Sequence, residues 1–251
     1  ILMNIPQKTQ DILIVGGTLL TMSPPAEIVE DPIIGIRNGK IDFIAKGTIP
    51  QGVEGFALER IDASGCIVMP GLVNVHTHLA MTCFRGLADD LPLMTWLKDH
   101  IFPAEAKFVD RRMVHAGALL GIAEMLLSGT TTFCDGYFFE GEVGRAAIEA
   151  GMRGIIAQGF IDFGAPDQMA HSEKALIARR FVERWNDRSP LITPALVCHS
   201  PYTCSPETLR DVKAAANRLG VPFQIHLCET REEVDLLRSR YGKKPLEHLH
   251  E

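Results

Sequence analysis

Two histidines one residue apart, His76 and His78 in "PGLVNVHTHLAM", stand at the end of a short apolar run. Side chains at i and i+2 of a strand point to one face, so two imidazoles there converge on one point. Pro70-Gly71 is a turn signal, and Leu72-Val73-Asn74-Val75 reads as the strand it introduces. His226 ends a later apolar run, "PFQIHLCET", and supplies a third imidazole. Neutral imidazoles suit Zn²⁺, Fe²⁺ or Ni²⁺. A catalytic zinc usually takes three protein ligands and leaves a position for water. One divalent ion, zinc by preference, is therefore expected on His76, His78 and His226. Glu229, three residues past His226, falls where a carboxylate can carry the proton of an activated water. Its plainer reading is a helix N-terminal carboxylate favoured by the macrodipole.

A second pair, His248 and His250 in "EHLHE", differs. On a helix i and i+2 lie about 200° apart, so these two cannot share a metal and read as surface residues. His100, His115 and His171 show no partner in the pattern and read as structural or solvated.

The elements that position these residues follow from periodicity. Residues 11–69 read as β-structure: "DILIVGG" is a strand closed by a glycine turn, and "IIGIRNGKIDFIA" is a hairpin about Asn38-Gly39. "ERIDASGCIVMPG" supplies one more strand. From Pro70 strands alternate with helices, which means a parallel sheet covered by helices. The helix in "DRRMVHAGALLGIAEMLLSG" presents Met113, Ala116, Leu120, Ala123 and Leu127 as its apolar face. Helices are also expected over 141–151, 172–187, 206–219 and 231–240, between strands "TTTFCD", "RGIIAQGF", "LITPALVCHS" and "PFQIHLCE". A doubly wound sheet would satisfy the alternation too, but it favours a glycine-rich phosphate turn that "NVHTHLAMT" lacks. Polar residues at strand C-termini point instead to a (β/α)₈ TIM-type barrel, of which five strands are present. The fold class is thus α/β, with an N-terminal β-domain over 1–69 and the first part of a barrel over 70–251.

Composition narrows the function classes. Of 251 residues, 46% are apolar and 22% charged, as in an ordinary globular protein. The formal charge of −6 argues against a nucleic-acid groove. No apolar run approaches the ~20 residues of a membrane span, and the start lacks a signal-peptide pattern. The cysteines Cys66, Cys83, Cys134, Cys198, Cys204 and Cys228 form no CxxC pair and read as buried reduced thiols of a cytoplasmic protein.

"PGLVNVHTH", "RGLADDLPLMTWL", "CHSPYTCS" and "IHLCET" together resemble the amidohydrolase superfamily. The resemblance spans essentially the whole chain and is strongest to the branch of 5′-methylthioadenosine/S-adenosylhomocysteine deaminases and TRZ/ATZ hydrolases. It implies that His76, His78 and His226 bind the metal and that Glu229 shuttles the proton. It further implies that Glu105 in "FPAEAKF" binds ribose hydroxyls, that His199 contacts the purine ring, and that Trp96 lies on a loop covering the substrate. The alternative for Trp96 is a core anchor. Asp89 and Asp90 are read as capping or solvating that lid. Gln158 departs from the pattern, standing where some members bring an arginine from a neighbouring subunit. The superfamily also needs a histidine after its sixth strand and an aspartate ending its eighth. Neither is in these residues, so the chain reads as about the first half of an enzyme, inactive and aggregation-prone by itself and a homo-oligomer at full length.

The expected function is a metal-dependent aminohydrolase that converts an adenine nucleoside to its inosine-type product and ammonia. The substrate would be 5′-methylthioadenosine, S-adenosylhomocysteine or adenosine. A guanine or pterin deaminase and a triazine-type chlorohydrolase are rivals within the superfamily. A non-catalytic barrel serving as scaffold or binding subunit is the rival from another class. Neither nucleic acid nor membrane is an expected partner.

Overall fold

Alternating apolar residues build the first of two units, Ile1–Gly71 and Leu72–Glu251, into which the chain divides. The computed structural model describes residues 9–47, 57–163, 165–167 and 174–250; His171 lies outside them, as do the first residues of the helix expected over 172–187. In the first unit the strands are β1 (Gln10–Val15), β2 (Thr18–Leu20), β3 (Ile28–Glu30), β4 (Pro32–Arg37), β5 (Lys40–Lys46), β6 (Ala57–Asp62) and β7 (Ile67–Val68). They form one sheet in the order β5-β4-β1-β6 and another in the order β3-β2-β7. The β4–β5 hairpin turns where expected, with Asn38 and Gly39 at φ of 52° and 69°. Two residues at positive φ match the right-handed strand twist. "ERIDASGCIVMPG" is two strands rather than one. Asp62 Oδ1 accepts the Ser64 amide at 2.9 Å and its hydroxyl at 2.6 Å, a side-chain turn that separates β6 from β7.

The second unit runs β8 (Leu72–Thr77), a 3₁₀ helix (Leu79–Phe84), α1 (Leu93–Thr95), a π-helical turn (Trp96–Ile101), α2 (Phe102–Phe108) and α3 (Arg111–Leu127). Then follow β9 (Thr130–Tyr137), α4 (Glu140–Ala150), β10 (Arg153–Phe160), α5 (Lys174–Trp185), β11 (Ile192–Cys198) and α6 (Pro206–Leu219). The last elements are β12 (Phe223–Ile225), α7 (Arg231–Tyr241) and α8 (Pro245–His250). The five strands are parallel and lie in sequence order, β8 to β12. A doubly wound sheet reverses its order at a switch point. This one advances in a single direction, as the first five β/α units of a (β/α)₈ barrel do. Two packed clusters, one around Phe133, Ile156 and Trp185 and one around Phe160, Leu196 and Val212, fix helices to sheet.

Helix ends obey local chemistry. Ser205 caps α6 by accepting the Thr208 amide, Pro206 opens the helix, and Gly220 closes it at φ 67°. That punctuation is why 206–219 was readable to the residue. No helix among the described residues is long and apolar enough to cross a membrane.

Three expectations need correction. First, α3 does not bury Met113, Ala116, Leu120, Ala123 and Leu127. It buries Val114, Gly117, Ala118, Gly121, Ile122 and Met125, while Leu127 is 90% exposed. The contact face is made of glycines and alanine, because the 3₁₀ helix lies close against it: a Cβ on Gly117 would come within 2.7 Å of the Ala80 carbonyl oxygen. Second, Trp96 is not on a loop; it opens the π-helical turn between α1 and α2. Third, all six cysteines are free thiols, but only Cys198 and Cys204 are buried.

The α3 contact makes a direct prediction. Gly117→Ala forces backbone against backbone and should cost about 1–3 kcal/mol of stability, whereas Leu127→Ala should stay within about 0.5 kcal/mol. Urea unfolding of both variants reads this out, and the reverse ranking would restore the large-residue face.

Candidate metal centre and its pocket

His76 is the penultimate residue of β8, where the pairing with β9 loses register between Asn74 and Thr77. Such an irregularity re-aims side chains at the strand end. His78 follows at the start of the 3₁₀ helix, and His226 lies just past β12 rather than within it. These three side chains converge. His76 Nε2 stands 3.4 Å from His78 Nε2 and 3.1 Å from His226 Nε2, and the remaining pair is 3.3 Å apart.

Tautomers follow from the other ring nitrogens. His78 Nδ1 is 2.8 Å from the Gly136 carbonyl, and His226 Nδ1 is 2.7 Å from the His199 carbonyl. A carbonyl only accepts, so both Nδ1 atoms carry the proton and both Nε2 atoms are bare. The bare lone pairs of His78 and His226, 3.3 Å apart, repel unless a cation sits between them. Ligands about 2.0–2.1 Å from a tetrahedral zinc stand about 3.3 Å from each other, which is the spacing found. His78 is held neutral as well: burial, then the neighbouring His226, lowers its pKa from 6.5 to about 4. The donor set fits a divalent ion. Among the described residues it is the group of histidine, cysteine and carboxylate side chains that could hold one.

The histidines open onto a cavity of about 380 Å³ within the second unit, a size that suits a small ligand. Leu93, Trp96, Leu97, Phe102 and Phe163 give it an apolar wall, and His199, Tyr202, Glu105 and Glu229 give it polar points. Trp96 is thus half-buried against the cavity rather than anchoring the core. Glu105 is 7% exposed, and the Tyr137 hydroxyl donates to its Oε1 at 2.7 Å. Burial outweighs that hydrogen bond and raises the carboxyl pKa from 4.5 to about 7. The same burial, with Glu105 beside it, drives the Tyr137 pKa far upward, so the phenol stays a donor. His199 is neutral, its pKa lowered to about 3 by burial and by His226 and His78, and its Nδ1 pairs with the Thr203 hydroxyl at 2.9 Å.

Glu229 lines the cavity beside His226. The helix-terminal role considered for it belongs to Glu233. That buried carboxylate accepts the amides of Cys228 at 3.0 Å and Glu229 at 2.8 Å, while Thr230 caps α7 by accepting the Glu233 amide. The spacing is that of a capping box, legible in "TREE", with the glutamate reaching the two amides before the N-cap instead of the N-cap's own. Tyr137 carries no such sequence signal. Elsewhere, His115 has a partner after all, Glu149 at 3.1 Å. His248 stacks on Tyr241 with ring centroids 4.3 Å apart, and His250 is exposed. Asp89 and Asp90 are exposed; Gln158 is tied to the Gly159 carbonyl and to Asp167 and does not line the cavity.

Residues 67–251 match the amidohydrolase family. The chain is 46% identical over 242 residues to a 5-methylthioadenosine/S-adenosylhomocysteine deaminase of Syntrophobacter fumaroxidans, covering 96% of this chain and 54% of that protein. It is 40% identical over 232 residues to a 5′-deoxyadenosine deaminase of Methanococcus maripaludis, covering 88% and 54%. The crystal structure of a Xanthomonas campestris adenosine deaminase with bound zinc superposes with a TM-score of 0.91 at 35% identity, over 98% of this chain and 55% of that one. The chain spans about half the length of the curated relatives it matches.

The buried Glu105 carboxyl makes stability depend on pH. Its folded pKa lies above the unfolded one, so its contribution is complete below about 4.5 and is lost as pH rises through about 7. Glu105→Gln keeps an acceptor for Tyr137 without this loss. The variant should gain on the wild type by on the order of 3 kcal/mol between those pH values, measured by urea unfolding at each end. The histidines titrate alike in both proteins and cancel. A difference that does not change with pH would contradict the burial of this carboxyl.

Proposed function

The chain belongs to the amidohydrolase family, and on that premise we propose that the protein is a metal-dependent aminohydrolase of adenine nucleosides. Its substrate class would comprise 5′-methylthioadenosine, S-adenosylhomocysteine and adenosine. One observation carries the reading: three imidazole Nε2 atoms, two of them without a proton to give, meet at the mouth of a cavity that also holds a buried carboxyl. His76, His78 and His226 would hold the metal, which supplies Lewis-acid activation of a water near neutral pH.

The chain's own residues account for the rest. Water adds to C6 of the adenine ring while Glu229 takes its proton and delivers it to N1. The C6–N bond then breaks, the amino group leaves protonated as ammonia, and a hypoxanthine ring remains. His199, kept neutral, is placed to hydrogen-bond the ring, and the Thr203 hydroxyl fixes its orientation. Trp96 and its apolar neighbours exclude water from that face. Glu105 favours a nucleoside over guanine or a chlorotriazine. A buried carboxyl needs donors to offset its desolvation; Tyr137 provides one and the vicinal ribose hydroxyls would provide the others. A cytoplasmic homo-oligomer is part of the same proposal, and the six free thiols are in keeping with a reducing compartment.

Separate steps imply separable variants. Glu229→Gln should keep metal and substrate affinity yet lose about 10²–10⁴ in kcat, the usual worth of general acid–base catalysis. Glu105→Gln should lower kcat/KM for the nucleoside, and its effect should nearly vanish with a 2′,3′-dideoxy analogue, where the contact is already gone. The ultraviolet change from adenine to hypoxanthine is the assay. Equal losses on the parent and dideoxy substrates would remove Glu105 from the ribose. Turnover of guanine or a chlorotriazine with no adenine nucleoside accepted would transfer the function to those rivals.

A further inference from the structure

Behind the histidines lies a second pair of acids that the proposed chemistry does not use. Asp135, in β9, and Glu140, in the first turn of α4, are both 0% exposed. Oδ2 of Asp135 and both carboxyl oxygens of Glu140 are buried without a hydrogen-bond donor of good geometry. Among the described residues no cation is bonded to either acid; the nearby arginines Arg111 and Arg145 are engaged by Glu142. Asp167, whose Oδ2 accepts the Phe139 amide at 2.8 Å, adds a further buried carboxyl beside them. Two ionised carboxylates cannot share such a site, since each would be desolvated beside a like charge.

A proton between them resolves the conflict, and the contacts say which acid keeps it. Oδ1 of Asp135 accepts the Leu79 amide at 2.8 Å, which favours its ionised form, and lies 2.6 Å from the Thr77 hydroxyl, whose one proton it shares with the Cys134 carbonyl at 2.8 Å. Glu140 meets one donor, the Tyr137 amide, and is fully buried beside Asp135, so it remains the neutral acid and gives its proton to the Asp135 carboxylate. Phe139, just before Glu140, sits at φ 53°, in the left-handed region that non-glycine residues rarely occupy. That backbone turns Glu140 inward.

The donors to this pair flank His78. Thr77 precedes it, Leu79 follows it, and the carbonyl of Gly136, next to Asp135, takes its Nδ1 proton. We propose that Asp135 and Glu140 are positioning residues: a singly protonated carboxyl pair that clamps residues 77–79 and so aims His78 at the metal. The role rests on the reading of His76, His78 and His226 as ligands, and its tests separate the two.

The first readout needs no metal. In a Glu105→Gln background, which removes the other buried carboxyl that protonates near neutral pH, the infrared spectrum should contain the carbonyl stretch of a buried protonated carboxylic acid, and adding Glu140→Gln should remove it. The second is zinc affinity by chelator competition. Asp135→Ala should weaken it roughly ten- to hundredfold, the usual cost of losing a group that orients a ligand. Asp135→Asn, which still accepts from Thr77 and Leu79, should recover most of that loss. Thr77→Val, nearly isosteric, should weaken zinc in the same direction and covers the case in which Asp135→Ala fails to fold. The third is the downfield Nδ1 proton signal of His78 in the metal-free protein, which should sharpen in the wild type and broaden in Thr77→Val. An infrared spectrum unchanged by Glu140→Gln would overturn the protonated pair. Zinc affinity and His78 signal both unchanged in Thr77→Val would overturn the clamp. A wild type with these infrared and proton signals that binds no zinc would instead end the functional reading.

Discussion

Three imidazole Nε2 atoms held 3.1–3.4 Å apart, two of them bare of a proton, are the constraint on which the second unit turns. Left alone, such lone pairs would splay. They are kept together because two of the rings are fixed from behind by main-chain carbonyls, Gly136 for His78 and His199 for His226. Those carbonyls belong to strands β9 and β11 or to their immediate ends, so the sheet's register is also the site's register. The parallel order β8 to β12 brings residues 150 positions apart in sequence together at the C-terminal ends of the strands. The strand end at β8 then breaks from its ladder, which frees its side chains to point at the same place as His226.

Burial does the remaining electrostatic work. His78 and His199 are kept neutral by it, as the roles proposed for them would require. Glu105 is raised toward neutral pH by it and is steadied by Tyr137, which cannot itself ionise there. Glu229 is exposed at the mouth, and Glu233 fixes its backbone by accepting its amide at 2.8 Å.

Much of this was legible because the determining interactions are local. The His-x-His spacing states its own geometry on a strand, the Asn38-Gly39 hairpin states its turn, and the Ser205-Pro206 start and Gly220 stop define α6. What escaped depends on partners distant in sequence. The buried face of α3 was misread because its partner, the 3₁₀ helix, demands small residues where periodicity counts large ones. The helical run around Trp96 was read as a loop because its π-helical turn lacks the usual spacing. Tyr137, Asp135 and Glu140 lie in an apolar strand and at a helix start, and nothing in their neighbours announces that Thr77 and Glu105 will face them. Glu233 was the exception, since its capping pattern stood in plain sequence.

The central claim is that His76, His78 and His226 together hold one divalent metal through their Nε2 atoms. X-ray absorption at the zinc edge of the zinc-loaded protein tests it most directly. The account predicts about three imidazole nitrogens at roughly 2.0–2.1 Å with no sulfur in the shell, and loss of the imidazole pattern in a His76→Ala/His78→Ala double variant. A shell containing sulfur, or an unchanged imidazole count in the double variant, would contradict it.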